Sequence, residues 1–159
     1  PRLLMAGPRK PIPDLSVDPE HLQIIREGMT AVVNGGGTAA ASKLPLDGIQ
    51  MAGKTGTAQV FKLISRGHQS NWNLRDHALF IAFAPADKPR YAIGCIIEHG
   101  GFGASAAAPI VRDTMTYLFD REKALAALAP LEEQWGGTLA ERNARQLAAF
   151  KSASRPTAA

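Results

Sequence analysis

Two short apolar runs separated by a turn constrain the fold of this 159-residue chain more than any other feature. The first, HALFIAFAP, covers residues 77–85 and ends on a proline, and the second covers residues 91–97. The four residues at 86–89, Ala-Asp-Lys-Pro, have the composition of a turn. Continuous apolar runs of this length are typical of strands. The pair therefore predicts a β-hairpin whose first strand is covered on both faces.

Elements on both sides of the hairpin complete a mixed pattern. Asp18 and Pro19 are typical of a helix start. An apolar stripe at helical spacing follows them: Leu22, Ile25, Met29 and Val32. Gly28 within that helix predicts close approach of another element, because a helical glycine otherwise costs about 1 kcal/mol. Residues 52–63 favour a strand, and Ser105 is a candidate cap for a helix after the hairpin. This order predicts an α+β fold, a mainly antiparallel sheet with flanking helices.

Proline content and helix-forming residues divide the chain into three parts. Residues 1–17 contain four prolines and are predicted to be an extended connector. Residues 18–120 carry the sheet and its helices. Residues 121–159 are predicted to be a helical tail with a disordered end, and Thr138 to Glu141 forms a capping-box pattern. Because the chain opens on Pro1 rather than a methionine, we expect a piece of a longer protein.

The composition excludes several classes of function. Hydrophobic content of 45% and charged content of 20% are typical of a folded domain, and no apolar run is long enough to span a bilayer. The formal net charge is +4, but the basic residues are scattered, so no nucleic-acid partner is expected. The single cysteine, Cys95, is expected to be a buried apolar residue. We expect no metal or cofactor, because compact spacing is lacking among the candidate ligands. These candidates are His68, Asp76, His77, Cys95 and His99.

The string GIQMAGKTGTAQV in the middle of the chain matches two motifs at once. Gly48 to Thr55 fits the phosphate loop G-x-x-x-x-G-K-[ST], which would make the chain a nucleotide-binding module. That loop needs a helix beginning at its lysine, and the residues from Gly56 to Phe61 are a poor helix start. Shifted by six residues, Lys54-Thr55-Gly56 is the K-T-G triplet of serine enzymes that react with penicillin, which lies on a strand. The K-T-G interpretation is preferred; a phosphate loop and a non-catalytic interaction role remain the alternatives.

The residues around this triplet resemble one family. Lys54 to Val60, KTGTAQV, is similar to the third active-site motif of class B penicillin-binding proteins. Residues 75–85 and 98–103 resemble the next two strand regions of that family, and residues 107–112 resemble its final helix. The resemblance covers about residues 1–120 and is closest to the elongation-type branch, the penicillin-binding proteins 2. It implies the C-terminal part of the serine β-lactamase and D,D-transpeptidase fold.

The resemblance also implies an activity and roles for four residues. A family member cross-links peptidoglycan stem peptides during cell-wall elongation and is acylated by β-lactams. By the same resemblance Lys54 supplies positive charge to the substrate, Thr55 and Thr57 supply hydroxyls, and the Thr57 N–H is the oxyanion-hole donor. Gly56 leaves the cleft uncrowded. These are the catalytic and substrate-binding candidates. The resemblance further implies a periplasmic protein that an N-terminal segment, not present in this sequence, anchors to the inner membrane.

Two motifs of that family are missing. None of the seven serines is followed by lysine at the third position or by asparagine at the second, so S-x-x-K and S-x-N are both absent. The chain is therefore interpreted as the C-terminal part of a transpeptidase domain, inactive by itself, with the missing N-terminal part as its partner. Without that part, the strand at residues 91–97 would be an unpaired apolar edge, which predicts self-association.

Overall fold

The computed structural model describes residues 16–60 and 71–153. Its helices and strands are α1 (Pro19–Asn34), β1 (Ala52–Ala58), β2 (His77–Ala84), β3 (Tyr91–Ile97), α2 (Gly103–Phe119), α3 (Arg121–Gln134) and α4 (Leu139–Ala153). Their order confirms the predicted α+β succession. The predicted connector lies outside the described residues up to position 15, and so does the chain end beyond position 153.

The three strands form one antiparallel sheet in the order β1-β2-β3, which confirms the predicted hairpin of β2 and β3. In the register, Thr55 lies opposite Phe80, and Phe80 lies opposite Cys95. Residues directly opposite one another in an antiparallel pair share a face of the sheet. Thr55, Phe80 and Cys95 therefore lie on the same face, and their neighbours in sequence lie on the other.

The core lies on the face of the sheet that carries Phe80. Every second residue of β2 is buried there, and α2 contributes four more buried apolar side chains. Val33 at the end of α1 and Ala39 just beyond it join the same cluster. The buried residues of the two main elements are Ala78, Phe80, Ala82, Ala84, Ala107, Ala108, Val111 and Met115. Many of them are alanines, so the helix can lie close to the strand.

The prediction that the first hairpin strand is covered on both faces is wrong. On the face opposite the core, Ile81 is 56% exposed, and Ile96, which lies opposite Leu79 on the same face, is 65% exposed. The burial of β2 alternates because both α1 and α2 join the core cluster on the other face, beside Phe80. Cys95 is only half-buried, against the expectation of full burial, because β3 lies at the edge of the described sheet.

Helix α1 begins where the sequence predicts. The Asp18 carboxylate accepts a hydrogen bond from the Glu20 N–H at 2.9 Å, and Pro19 occupies the first helical position. No residue of the predicted apolar stripe is fully buried: Leu22, Met29 and Val32 are half-buried and Ile25 is 55% exposed. The buried residue of the helix is Val33, next to the stripe. The close approach predicted at Gly28 is wrong, because a Cβ there would have no described atom within 4 Å.

The close approach occurs instead at Gly103, the first residue of α2. A Cβ on Gly103 would overlap the carbonyl oxygen of Leu79 and lie 2.7 Å from that of Gly56. The start of α2 therefore rests directly on the backbone of β1 and β2. The prediction that Ser105 caps this helix is wrong: the cap position is Phe102, and the Ser105 hydroxyl donates to the Phe102 carbonyl at 3.3 Å.

Helices α3 and α4 follow as a tail held by caps and local contacts. The Glu141 N–H donates to the Thr138 hydroxyl at 3.3 Å, and the Glu141 carboxylate accepts from the Thr138 N–H at 2.7 Å. This reciprocal pair confirms the predicted capping box. The Arg142 guanidinium lies 5.5 Å from the Trp135 ring centre, and Arg145 donates to the Gly136 carbonyl. These contacts fix the turn between the two helices.

Candidate active site

Strand β1 places the K-T-G residues along one edge of the described sheet. Lys54 and Thr57 are exposed, and Thr55 is half-buried. Side chains alternate along a strand, so Thr55 and Thr57 share the core-side face and Lys54 starts from the opposite face. The Lys54 side chain nevertheless bends around the strand, and its Nζ donates to the Thr55 carbonyl oxygen at 2.8 Å. The ammonium and the Thr55 residue therefore meet at the strand edge.

The backbone groups of Thr55 and Thr57 face the same way. In an antiparallel pair, the N–H and C=O groups of alternate residues turn toward the partner strand or away from it. Because the Thr55 carbonyl accepts from the Lys54 ammonium, we infer that this alternation turns it away from β2, toward the open edge. Thr57 has the same parity, so its N–H is also turned toward the open edge.

Gly56 lies between these two threonines and is closely packed. A Cβ added at Gly56 would lie 3.3 Å from the Cβ of Leu79, on the neighbouring strand. The start of α2 reaches the same point, because a Cβ added at Gly103 would lie 2.7 Å from the carbonyl oxygen of Gly56. The position of the motif strand is thus fixed by β2 and α2 together.

A residue outside the motif contacts Thr55. The Oγ1 atoms of Thr38 and Thr55 lie 3.0 Å apart and share a hydrogen bond. Thr38 follows the glycines at residues 35–37, which end α1. The glycine run shows that the chain turns there, but no local pattern indicates that it returns to a residue 17 positions later. Sequence reasoning therefore missed this contact.

A network of polar and aromatic groups lies at the far end of β1. The His99 N–H donates to His77 Nδ1 at 2.9 Å, and the His99 and Trp72 rings lie 4.3 Å apart between centres. The Asp76 carboxylate accepts from the Val60 N–H at 3.2 Å. The Asp76 carbonyl accepts from the Gly101 N–H at 2.8 Å. These contacts tie the residues after β1 to the turn before α2.

The metal-ligand candidates do not form a centre in the part of the chain that the structure describes. No group of three or more histidine, cysteine, aspartate or glutamate side chains there could hold a metal ion. His68 lies outside the described residues.

The phosphate-loop alternative requires a helix that begins at Lys54. In the structure Lys54 lies within strand β1, which continues to Ala58, so that helix start is not present at this lysine. A phosphate loop relies on the amides of a helix N-terminus at that lysine.

No helix among residues 16–60 and 71–153 combines the length and apolar character that crossing a bilayer requires.

No carboxylate of the described residues forms an ion pair with Lys54. The ammonium is therefore available to an anionic group brought in by a ligand. Together with two threonine hydroxyls and an edge-facing N–H, it makes a set of hydrogen-bond donors suited to a carboxylate.

Comparison with known proteins gives consistent matches. Residues 6–116 match the family described as the penicillin binding protein transpeptidase domain. The chain is 48% identical over 88 residues to the peptidoglycan D,D-transpeptidase MrdA of Acinetobacter baumannii, a match over 52% of the chain and 12% of that protein. It is 36% identical over 100 residues to MrdA of Haemophilus influenzae, over 60% of the chain and 15% of that protein. The chain thus spans a small part of the length of these relatives.

Solved structures of similar proteins agree with these matches. The crystal structure of PBP2 from Pseudomonas aeruginosa in complex with WCK 5153 is 38% identical, with a TM-score of 0.52 over 67% of the chain and 21% of the solved chain. The complex between PBP2 and MreC from Helicobacter pylori is 35% identical, with a TM-score of 0.50 over 64% of the chain and 18% of the solved chain.

Proposed function

Because the chain belongs to the penicillin-binding protein transpeptidase domain family, we propose that it forms the K-T-G side of the active site in an elongation-type peptidoglycan D,D-transpeptidase. That membership confirms the resemblance stated from the sequence. The nucleophilic serine would come from sequence outside these 159 residues, since S-x-x-K and S-x-N are absent here. The chain alone is therefore inactive, and the activity belongs to the whole protein that carries it.

The proposed reaction is acyl transfer through a covalent intermediate. The serine oxygen attacks the carbonyl of the penultimate D-alanine of a stem peptide, and the terminal D-alanine leaves as its amine takes a proton. An amine of a second stem then displaces the serine and forms the cross-link. Covalent catalysis of this kind divides one difficult step into two easier ones.

The residues of β1 have distinct roles in this scheme. Lys54 and the hydroxyls of Thr55 and Thr57 bind the carboxylate of the terminal D-alanine. The Thr57 N–H stabilises the negative charge that develops on the carbonyl oxygen, a contact whose loss costs about 3–4 kcal/mol in a serine hydrolase. The observation that supports the proposal most is the Lys54 ammonium, 2.8 Å from the Thr55 carbonyl and free of described carboxylates.

The proposed partners and location follow the relatives. The whole protein is proposed to bind peptidoglycan stem peptides and β-lactams. It is also proposed to have a partner similar to MreC, the protein bound to PBP2 in the Helicobacter pylori complex. A periplasmic position with an inner-membrane anchor accords with that assignment. The outer edge of β3 has no strand beside it among the described residues, so pairing of residues 91–97 with the rest of the protein or a second copy stays a prediction.

The test is the acylation rate of Lys54 variants of the whole protein by a fluorescent penicillin. Lys54→Ala should slow acylation by about 10- to 100-fold, because hydrogen bonds to charged groups contribute about 1.5–3 kcal/mol. Lys54→Arg should fall between Ala and wild type, because a planar guanidinium does not replace a compact ammonium. Thr57→Ala should have a milder effect, since the backbone N–H remains.

Lys88→Ala is the matched control, because Lys88 is an exposed lysine in the turn between β2 and β3. It should acylate at the wild-type rate. Melting temperatures check that each variant is folded. Acylation of Lys54→Ala at the wild-type rate would show that β1 is only a scaffold and that the site assignment is wrong.

A further inference from the structure

The hydroxyl pair of Thr38 and Thr55 is a described contact of the K-T-G residues to which the proposed mechanism assigns no role. The two Oγ1 atoms are 3.0 Å apart. A threonine hydroxyl has one proton to donate and can accept two hydrogen bonds. If Thr38 donates, the Thr55 hydroxyl keeps its own proton for another acceptor. If Thr55 donates, its proton is bound by the Thr38 oxygen and is not available to a ligand.

Thr38 is held on a rigid turn. Gly36, two residues earlier, has a φ of +79°, and a Cβ on Gly37 would lie 2.8 Å from the Val32 carbonyl oxygen. On the other side Ala39 is buried, and its N–H donates to the Val32 carbonyl at 3.1 Å. With both neighbours fixed against α1, the Thr38 backbone cannot shift far. Its hydroxyl is therefore presented to β1 from a fixed position.

Thr55 gains an orientation from this contact. The side chain of a threonine chooses among staggered rotamers, and on a strand its hydroxyl can lie in more than one of them. A hydrogen bond to a fixed partner selects the rotamer that directs Oγ1 toward Thr38. The Lys54 ammonium binds the carbonyl of the same Thr55 residue. The ammonium and the two hydroxyls thus belong to one arrangement around Thr55.

We propose that Thr38 is a positioning residue for carboxylate recognition: it holds the Thr55 hydroxyl in the orientation that donates to the substrate carboxylate. The inference rests on the proposed function. It extends the site to a turn that lies outside all three family motifs. Thr38 itself need not touch the substrate, since it acts through Thr55.

The experiment compares Thr38→Val with Thr38→Ser in the whole protein. Valine keeps the branched shape without the hydroxyl, and serine keeps the hydroxyl. Acylation is measured with a penicillin that has a free carboxylate and with its methyl ester. With the free carboxylate, Thr38→Val should be about three- to tenfold slower than wild type, the usual range for one hydrogen bond. Thr38→Ser should stay within about twofold of wild type. With the ester, wild type and Thr38→Val should react at the same rate.

Equal rates for wild type and Thr38→Val with the free carboxylate would overturn the inference. The same fractional loss with both compounds would also overturn it, because a purely structural defect does not discriminate between them. If Thr38→Val does not fold, judged by its melting temperature, Thr38→Ala is measured instead and the same two outcomes apply. A double variant carrying Thr38→Val and Thr55→Val should be no slower than Thr55→Val alone, and additive losses would contradict action through Thr55.

Lys54→Ala separates this inference from the function on which it rests. A slow Lys54→Ala variant beside an unaffected Thr38→Val variant would remove the role of Thr38 and leave the transpeptidase proposal standing. An unaffected Lys54→Ala variant would remove the proposed site as a whole, and the role of Thr38 with it.

Discussion

The sheet with α2 and the tail of α3 and α4 are built on different principles. In the first region, Phe80, Val111 and Met115 are fully buried and come from elements far apart in the chain. In the second, no described side chain is fully buried, and Leu125 and Leu147 are 46% and 54% exposed. Tertiary packing defines the first region, whereas capping and contacts within a few residues define the second. Substitutions should therefore have unequal effects in the two.

The largest difference is expected from truncating an apolar side chain in each region. Phe80→Ala should lower the free energy of unfolding by about 3–5 kcal/mol, because it removes a large buried side chain at the centre of the sheet. Leu147→Ala in α4 should change it by no more than about 0.5 kcal/mol, as usual for an exposed position. Denaturant midpoints of the whole protein measure both. A similar loss for the two variants would show that the tail is packed against part of the protein.

A smaller difference should separate two glycine-to-alanine changes. Gly103→Ala should destabilise by about 1–3 kcal/mol, because the added Cβ would overlap the backbone oxygen of Leu79. Gly28→Ala is its matched control, since its Cβ would meet nothing described within 4 Å. It should stabilise by about 0.5–1 kcal/mol through helix propensity alone. Melting temperatures show whether each change stabilises or destabilises the protein. A destabilised Gly28→Ala variant would mean that another part of the whole protein lies against α1.

The smallest effect should be a pH dependence confined to the tail. Hydrogen bonds from the backbone N–H and then the hydroxyl of Thr138 lower the pKa of the Glu141 carboxyl below its ordinary value, with Arg145 adding to the effect. A carboxyl with a lowered pKa stabilises the fold above its ordinary pKa, and this contribution is lost as the pH falls through the lowered value. The first turn of α4 should therefore fray on acidification.

Amide hydrogen exchange of the first turn of α4, compared with Glu141→Gln at each pH, measures this fraying. The variant lacks the charge, so its protection should not change with the ionisation of residue 141. The global unfolding midpoint should hardly move in either protein. Identical pH profiles for wild type and Glu141→Gln would mean that the capping box does not hold the helix.

Predictions from the sequence succeeded where the signal is local. The Asp18 cap and the capping box at Thr138 each depend on residues two or three positions apart, and both are present. The strand character of the K-T-G residues and the hairpin also follow from short patterns. Ser105 is the exception: the helix starts earlier, because Gly103 permits direct packing on the sheet.

What the sequence did not reveal depends on distant parts of the chain. The contact of Thr38 with Thr55 and that of Gly103 with Gly56 join segments whose spacing has no periodic signature. The exposure of Ile81 has the same origin, because an apolar residue of a strand is covered only if another element reaches it. Such facts follow from the arrangement of elements, and composition and periodicity do not fix that arrangement.

The packing of α2 onto the motif strand has a genetic consequence. A stop codon within the segment that encodes Gly103–Phe119 would remove the helix that buries Phe80 and rests on Gly56, so the reading frame must be intact well past the K-T-G codons. A stop codon after Asp120 would delete two helices without a fully buried side chain in the described part of the chain. Alleles with a stop codon before this position should therefore lose the folded domain, and alleles with a stop codon after it should keep the domain.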